Sequence, residues 1–338
     1  MVCSECFNDL ELKRFIEANS SIISECMYCG HPKSHQIDIA ELLDFFVELI
    51  DIFEEDKSSE FTLSQILQND WNLFSSQNIA HSILLDAYSL MPNDLKNPDT
   101  TVTYLQEIED CVSYWEVLKH ELKWERRFLI NLDTISFDYG WDRFFEAQTG
   151  LSDKTILYRA RIHHKEGASV YSINEMGSPP AKYSTNGRAN PEGISFLYLC
   201  KEWTTTLYET RVTYLDELSI GKFSLKKNET IKLVDFTSYG SPFLEQDKIE
   251  YAKSRFLKKK ISLDLSKPVR RYDSQIEYIP TQFICEFIKY ITGAHGIIFE
   301  SSVHKNGVNY VIFADDKLEC LEVNKYQVDL VEIKATLL

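Results

Sequence analysis

Arginine, tyrosine, glutamate and serine recur in a fixed order along the second half of this chain: LYRAR at 157–161, NGRANPEG at 186–193, LYLCKEWTTTLYETR at 197–211 and GIIFESSVHKNGVNYVIF at 296–313. Guanidinium groups keep their charge and bind phosphate oxygens through two parallel hydrogen bonds. A carboxylate accepts from a ribose hydroxyl or faces a developing positive charge, and tyrosine and serine wall the pocket around both. As an ordered set, Arg159, Arg161, Arg188, Tyr198, Glu209, Ser301 and Ser302 predict a nucleotide-handling site.

A second group of reactive side chains lies at the start. Cys3, Cys6, Cys26 and Cys29 form two C-x2-C pairs separated by 19 residues, the spacing of two knuckles that meet in a tetrahedral thiolate site. Structural zinc is the expected ligand, because four protein ligands leave no open position for catalysis. His31 and His35 are alternates for one thiolate, and nothing else in the sequence points to an oxidising compartment that would favour a disulfide. Cys111, Cys200, Cys285 and Cys320 are scattered among apolar neighbours and read as core residues.

Composition allows these sites without demanding them. The 338 residues are 44% hydrophobic and 13% aromatic, enough for about two packed cores. No apolar run approaches the roughly 20 residues that cross a bilayer. The opening MVCSECFNDLELKRF has no basic-then-apolar layout of a secretory signal, so the expected compartment is the cytoplasm. The net charge of −16 is uneven: residues 1–150 carry 10 Lys and Arg against 28 Asp and Glu, whereas residues 151–338 carry 26 against 24. An acidic front half is a poor partner for nucleic acid phosphates.

Elements that must position the site follow from apolar periodicity. Asp38 and Glu41 suit a capping box, and Ile39, Leu42, Leu43, Phe46, Leu49, Ile50 and Phe53 predict one helix of about five turns across 38–56. Further helices are expected over about 62–74, 78–89, 104–129 and 139–149, with Trp115, Trp124, Trp141, Phe144 and Phe145 as core residues. Beyond 151 the rhythm shortens. TILYRARI, GISFLYLC, LSIGKFSL, TIKLVDFT, GAHGIIFESS and NYVIFA read as strands, and KEWTTTLYETRVTYL and YIPTQFICEFIKYIT as helices. The expected class is α+β: a zinc-knuckle module over 1–36, an acidic all-α bundle over 37–150 and a mixed α/β domain over 151–338. The Gly- and Pro-rich stretch 176–193 is a loop that can lay backbone against a ligand.

On these motifs the chain resembles the RES domain family, named for its Arg, Glu and Ser, from about Leu157 to Phe313. LYRAR matches the first arginine position, GRANP the second, LYL the tyrosine, LYETR the glutamate and FESS with VNYVIF the serine, while YIPTQFICEFI and GAHGIIF are also similar. Ala189 stands where many members have an aromatic residue. The resemblance implies a fold similar to ADP-ribosyltransferase toxins and destruction of NAD⁺ at the nicotinamide–ribose bond, by hydrolysis or phosphorolysis. It also implies restraint by an antitoxin or other inhibitor protein, or by the chain's own front half. The helical region resembles HEPN-type domains, but Arg126, Arg127 and Arg143 are not followed closely by the His of their ribonuclease members, so RNase activity is not expected.

The chemistry asks for these residue types. Nicotinamide leaves NAD⁺ as a neutral base, so no acid must protonate it, unlike the usual pair of carboxylates in glycoside hydrolysis. Glu209 would accept from a ribose hydroxyl and stabilise the oxocarbenium-like transition state. Arg159 and Arg188 would hold the pyrophosphate or ribose, with Arg161 on the same strand face as Arg159. Tyr198 would stack on the nicotinamide or pack in the core, and Ser301 or Ser302 would contact the ribose or the attacking nucleophile. His163 and His164 read as surface or strand histidines, and the lack of GxGxxG or a P-loop argues against a Rossmann unit or an ATPase. The expectation is a growth-arrest or defence enzyme that degrades NAD⁺. The alternatives are an ADP-ribosyltransferase acting on a protein or nucleic acid, and a non-catalytic zinc-containing interaction protein.

Overall fold

A computed structural model describes residues 1–146, 149–267 and 275–332. The class is α+β. Contacts divide the chain into one unit of Met1–Ser113 with Tyr239–Arg255 and another of Tyr114–Ser238 with Phe256–Leu338. This division is drawn differently from the three successive parts expected from the sequence.

In the first unit, β1 (Val2–Cys3), β2 (Ile22–Ser24) and β3 (Ser34–Ile37) form an antiparallel sheet in the order β1-β3-β2. Between them runs α1 (Leu10–Asn19), whose first amides are capped by Asp9. Asp38 and Glu41 do form a capping box, yet it opens a 3₁₀ turn at Ile39–Leu42 followed by the shorter α2 (Leu43–Ile50). The expected five-turn helix ends there. The chain instead enters β4 (Phe53–Glu55), which pairs with β5 (Val102–Tyr104) and packs Phe53 against Tyr104 with ring centroids 4.7 Å apart. Cross-strand pairing outweighs the helical pattern. The capped helices α3 (Leu63–Asn69) and α4 (Gln77–Leu90) complete the region, so the stretch expected to be all helical also carries a strand pair.

The second unit is built on an eight-stranded sheet. Its strands are β6 (Thr149–Gly150), β7 (Leu157–Ile162), β8 (Leu197–Cys200), β9 (Glu217–Leu225), β10 (Lys232–Asp235), β11 (Gly296–Glu300), β12 (Val308–Ile312) and β13 (Leu318–Gln327). They lie in the order β13-β9-β7-β8-β12-β11-β10-β6, and β10 with β11 is the parallel pairing. Leu157, Leu197, Leu199, Phe223, Leu233, Ile298 and Ile312 form the core on one face. β13 went unforeseen because a bulge between Cys320 and Glu322 interrupts its alternation.

Two long helices cross the division between units, α5 (Gln106–Trp124) and α8 (Lys248–Ser266), with α6 (Trp141–Phe144), α7 (Trp203–Glu209) and α9 (Ile279–Phe287) completing the set. α8 was not foreseen. Its buried stripe, Ala252, Leu257, Ile261 and Leu265, is thin and set among lysines. The end of α8 is fixed within the second unit by Asp264, which accepts from Trp115 Nε1 at 2.7 Å and from Lys119 Nζ at 2.8 Å. Trp115, Trp141, Phe144 and Phe145 are core residues as expected, but Trp124 is 63% exposed because α5 ends with that residue. His163 is also corrected: it is buried, stacked on Tyr171, with Nε2 2.9 Å from Ser219 Oγ.

Candidate active site and thiolate cluster

Glu209 is the last residue of α7, which stops far short of the helix expected across 201–215. Arg211, at φ 53°, turns the chain away. The negative end of a helix is an unfavourable place for a carboxylate. Two donors compensate, and both converge on one oxygen: Ser301 Oγ at 2.7 Å and Asn309 Nδ2 at 2.6 Å from Glu209 Oε1. Ser301 follows β11 and Asn309 lies in β12, so distant parts of the sequence meet on the carboxylate.

Pairing across the sheet explains the position. Phe299 of β11 faces Asn309 of β12, Asn309 faces Cys200 of β8, and Cys200 faces Tyr158 of β7. This rung of four side chains borders a cavity of about 290 Å³, near the lower limit for small-molecule sites. Tyr158–Cys200 is the bridge between β7 and β8, whereas β7 pairs with β9 from Leu157 to Ile162. The sheet therefore parts beside this bridge, and Glu209, Arg159 and Arg188 line the opening together.

The arginines differ in their partners. Arg159 is pushed down to about 10 by burial and by neighbouring Arg161, still a full cation at neutral pH, and its Nη1 is buried without a protein partner among the described residues. Arg159 also borders the cavity, where a guanidinium is suited to an anion. Arg161 instead donates from Nη2 to Gly177 O at 2.7 Å and ties down the 176–193 loop; it does not border the cavity. Arg188 borders the cavity but donates to the carbonyls of Leu265, at 2.8 Å, and Lys267, capping the end of α8, and burial lowers its pKa.

Tyr198 borders the cavity with its hydroxyl committed to the loop. It donates to Asn190 Oδ1 at 2.6 Å and accepts from Ala189 N at 3.1 Å, while burial pushes its pKa up. Gln282 of α9 secures the same loop through Gly187 O and Asn190 O. Ser302 borders the cavity, whereas Ser301 meets Glu209 directly. Sequence reasoning missed Asn309 and Cys200. A polar Asn inside the apolar run VNYVIF was the available signal, since an amide in the middle of a sheet needs partners.

At the other end of the chain, Cys3, Cys6, Cys26 and Cys29 meet. Sγ separations are 3.6 Å for Cys3–Cys6, 3.4 Å for Cys3–Cys29 and 3.5 Å for Cys6–Cys26, and all four sulfurs lie within 4.8 Å of one another. A tetrahedron of thiolates about 2.3 Å from a metal has edges of about 3.8 Å, so the set fits a metal ion with a slight expansion. Hydrogen bonding between Cys6 and Cys3 holds the Cys3 thiol below the ordinary range and pushes Cys6 up, and burial raises Cys29, so a metal must displace protons from the set. Cys26 N donates to His31 O and Gly30 N to Cys26 O, closing the second knuckle, with Gly30 at φ 69°. Among the described residues, neither His31 nor His35 belongs to the cluster.

The sequence profile of the RES domain family matches residues 156–331, just over half of the chain. No curated protein matches it. Among the described residues, no helix is long and apolar enough to cross a membrane.

Proposed function

Because the chain belongs to the RES domain family, we propose that its second unit degrades NAD⁺ by cleaving the bond between nicotinamide and ribose. The observation that carries this reading is the placement of Glu209, one oxygen held by Ser301 and Asn309, in a cavity shared with Arg159 and Arg188. Among the described residues no donor is bonded to Glu209 Oε2, which leaves it for a ribose hydroxyl. As the glycosidic bond stretches, positive charge grows on the ribose, and a fixed carboxylate stabilises it with little reorganisation. The cavity is of a size to hold the nicotinamide–ribose end, with Arg159 to bind phosphate oxygens. Water or phosphate then captures the ribosyl cation.

The proposed setting is the cytoplasm, where thiols stay reduced and the four cysteines hold structural zinc. Uncontrolled loss of NAD⁺ stops growth, so the proposed role is growth arrest or defence, restrained by an inhibitor protein. The test is to incubate purified protein with NAD⁺, with and without phosphate, and measure free nicotinamide. Wild type should release it and folded Glu209→Ala should not. Absence of release by wild type refutes the reading, and ADP-ribose label retained on a macromolecule would replace it with transfer.

A further inference from the structure

We propose that Asn309 is a positioning residue for this site: its amide, itself oriented by the Cys200 side chain, fixes the Glu209 carboxylate so that Oε2 is presented to the ligand. The argument starts from hydrogen-bond polarity. Asn309 is 7% exposed, Nδ2 lies 2.6 Å from Glu209 Oε1, and Oδ1 accepts from Cys200 Sγ at 3.3 Å. An amide has nearly the same shape after a half turn, so its neighbours decide which end faces which way. Turned over, Asn309 would set oxygen against the carboxylate and lose the thiol's hydrogen bond.

Burial, with nearby Glu209, pushes the Cys200 pKa up to about 12, so at neutral pH the thiol keeps its proton and acts as the donor. Cross-strand register between Asn309 and Cys200 supplies the contact. On the other side, Ser301 Oγ accepts from Val303 N at 3.3 Å and His304 N at 3.1 Å, directing its own hydrogen to Glu209. His304 in turn stacks on Tyr208 and meets Thr205 Oγ1 at 2.9 Å through Nδ1, clamping the serine loop to α7. Both donors to Oε1 thus have their polarity set by a further group.

The catalytic consequence rests on the NAD⁺ reading; the positioning itself does not. In full-length protein, Asn309→Ala should lower kcat about 10- to 100-fold, the loss expected for one hydrogen bond to a charged group, with KM changed less than about threefold. Asn309→Asp should fall further at neutral pH and recover as pH is lowered, because a proton shared by two facing carboxyls restores a donor at this position. The other ionisable groups lining the cavity, Tyr158, Tyr198, Arg159, Arg188 and Cys200, are common to both proteins. So is His304, and the wild-type profile is therefore the reference. Cys200→Ser retains a donor to Asn309 Oδ1, so it should lose less activity than Cys200→Ala, and equal losses would remove the thiol from the proposal.

A merely structural Asn309 would give matched losses of melting temperature and no recovery in acid. That result, or Asn309→Ala at wild-type kcat, overturns the proposal while leaving the NAD⁺ reading standing. A crystal structure of Asn309→Ala needs no turnover: a Glu209 carboxylate rotated from its wild-type orientation supports positioning, and one that has not moved overturns it whatever the substrate. Failure of wild type to release nicotinamide would refute only the NAD⁺ reading.

Discussion

Glu209→Gln separates the charge of this residue from its place in the fold. The substituted side chain still has a carbonyl oxygen to accept from Ser301 and Asn309, so the two donors at 2.7 and 2.6 Å remain satisfied. Turning the amide over would set its NH2 against both donors. What disappears is the negative charge and the ability of the Oε2 position to accept from a hydroxyl. A carboxylate about 4 Å from a developing unit positive charge contributes about 4 kcal/mol at an effective dielectric constant of about 20, equivalent to about 10³-fold in kcat. Stability should change little: removing an anion from the negative end of α7 gains about 0.3–1 kcal/mol, offset by the weakening of two hydrogen bonds whose acceptor is no longer charged. Nicotinamide release at saturating NAD⁺ and a thermal melt measure both quantities. A kcat within tenfold of wild type, or a melt lowered by more than about 5 °C, would refute the reasoning: the first makes the charge dispensable, the second makes it structural.

The protein should contain one tightly held divalent metal per chain by elemental analysis. Cys6→Ser should lose it and lower the first unfolding transition, whereas an unchanged metal content would remove the cluster from the account. Gly187→Ala places a Cβ about 2.5 Å from Asn190 Oδ1 and 2.6 Å from Tyr198 Oη, so the loop carrying Arg188 must shift and KM for NAD⁺ should rise about tenfold or more. Cys200 binds its proton more tightly in the folded protein than its ordinary value of 9.0 implies, rising to about 12. Its contribution to stability is therefore complete below pH 9 and lost toward pH 12, by at most about 1.4 kcal/mol per pH unit. Urea midpoints measured from pH 8.5 to 11 should fall less steeply in Cys200→Ala.

Residue types and spacing made much of the site legible because its chemistry is carried by uncommon groups at motif positions. Arg159, Arg188, Tyr198 and Ser302 border one cavity with Glu209, and Ser301 binds it. The same motifs did not tell Arg159 from Arg161. Strand alternation gives both side chains one face, and only the path of the 176–193 loop assigns Arg161 to Gly177 O. Asn309 and Cys200 escaped because their roles exist only across strand pairings that bring Asn309 opposite Cys200 and Phe299. Helix ends were likewise tertiary matters. α2 yields to the pairing of Phe53 with Tyr104, and α7 ends at the carboxylate it presents.

The cavity's charge pattern bears on the proposed substrate class. Among the described residues lining it, Glu209 is the one carboxylate, accompanied by Arg159 and Arg188. An O-glycoside is ordinarily cleaved by two carboxyl groups because its leaving alkoxide must be protonated. Among the described residues no second carboxyl lines this cavity for that task. A nicotinamide ribosyl bond makes no such demand, since the pyridinium leaves as a neutral base and carries its positive charge over to the sugar. One anion is then enough for the sugar, and cationic arginines are tolerable beside it only if the substrate brings its own negative charge. A dinucleotide pyrophosphate does so, and Arg159 and Arg188 border the cavity that would receive it. The proposed reading thus accounts together for the one carboxylate among the described lining residues, its doubled hydrogen bonding and the arginines beside it.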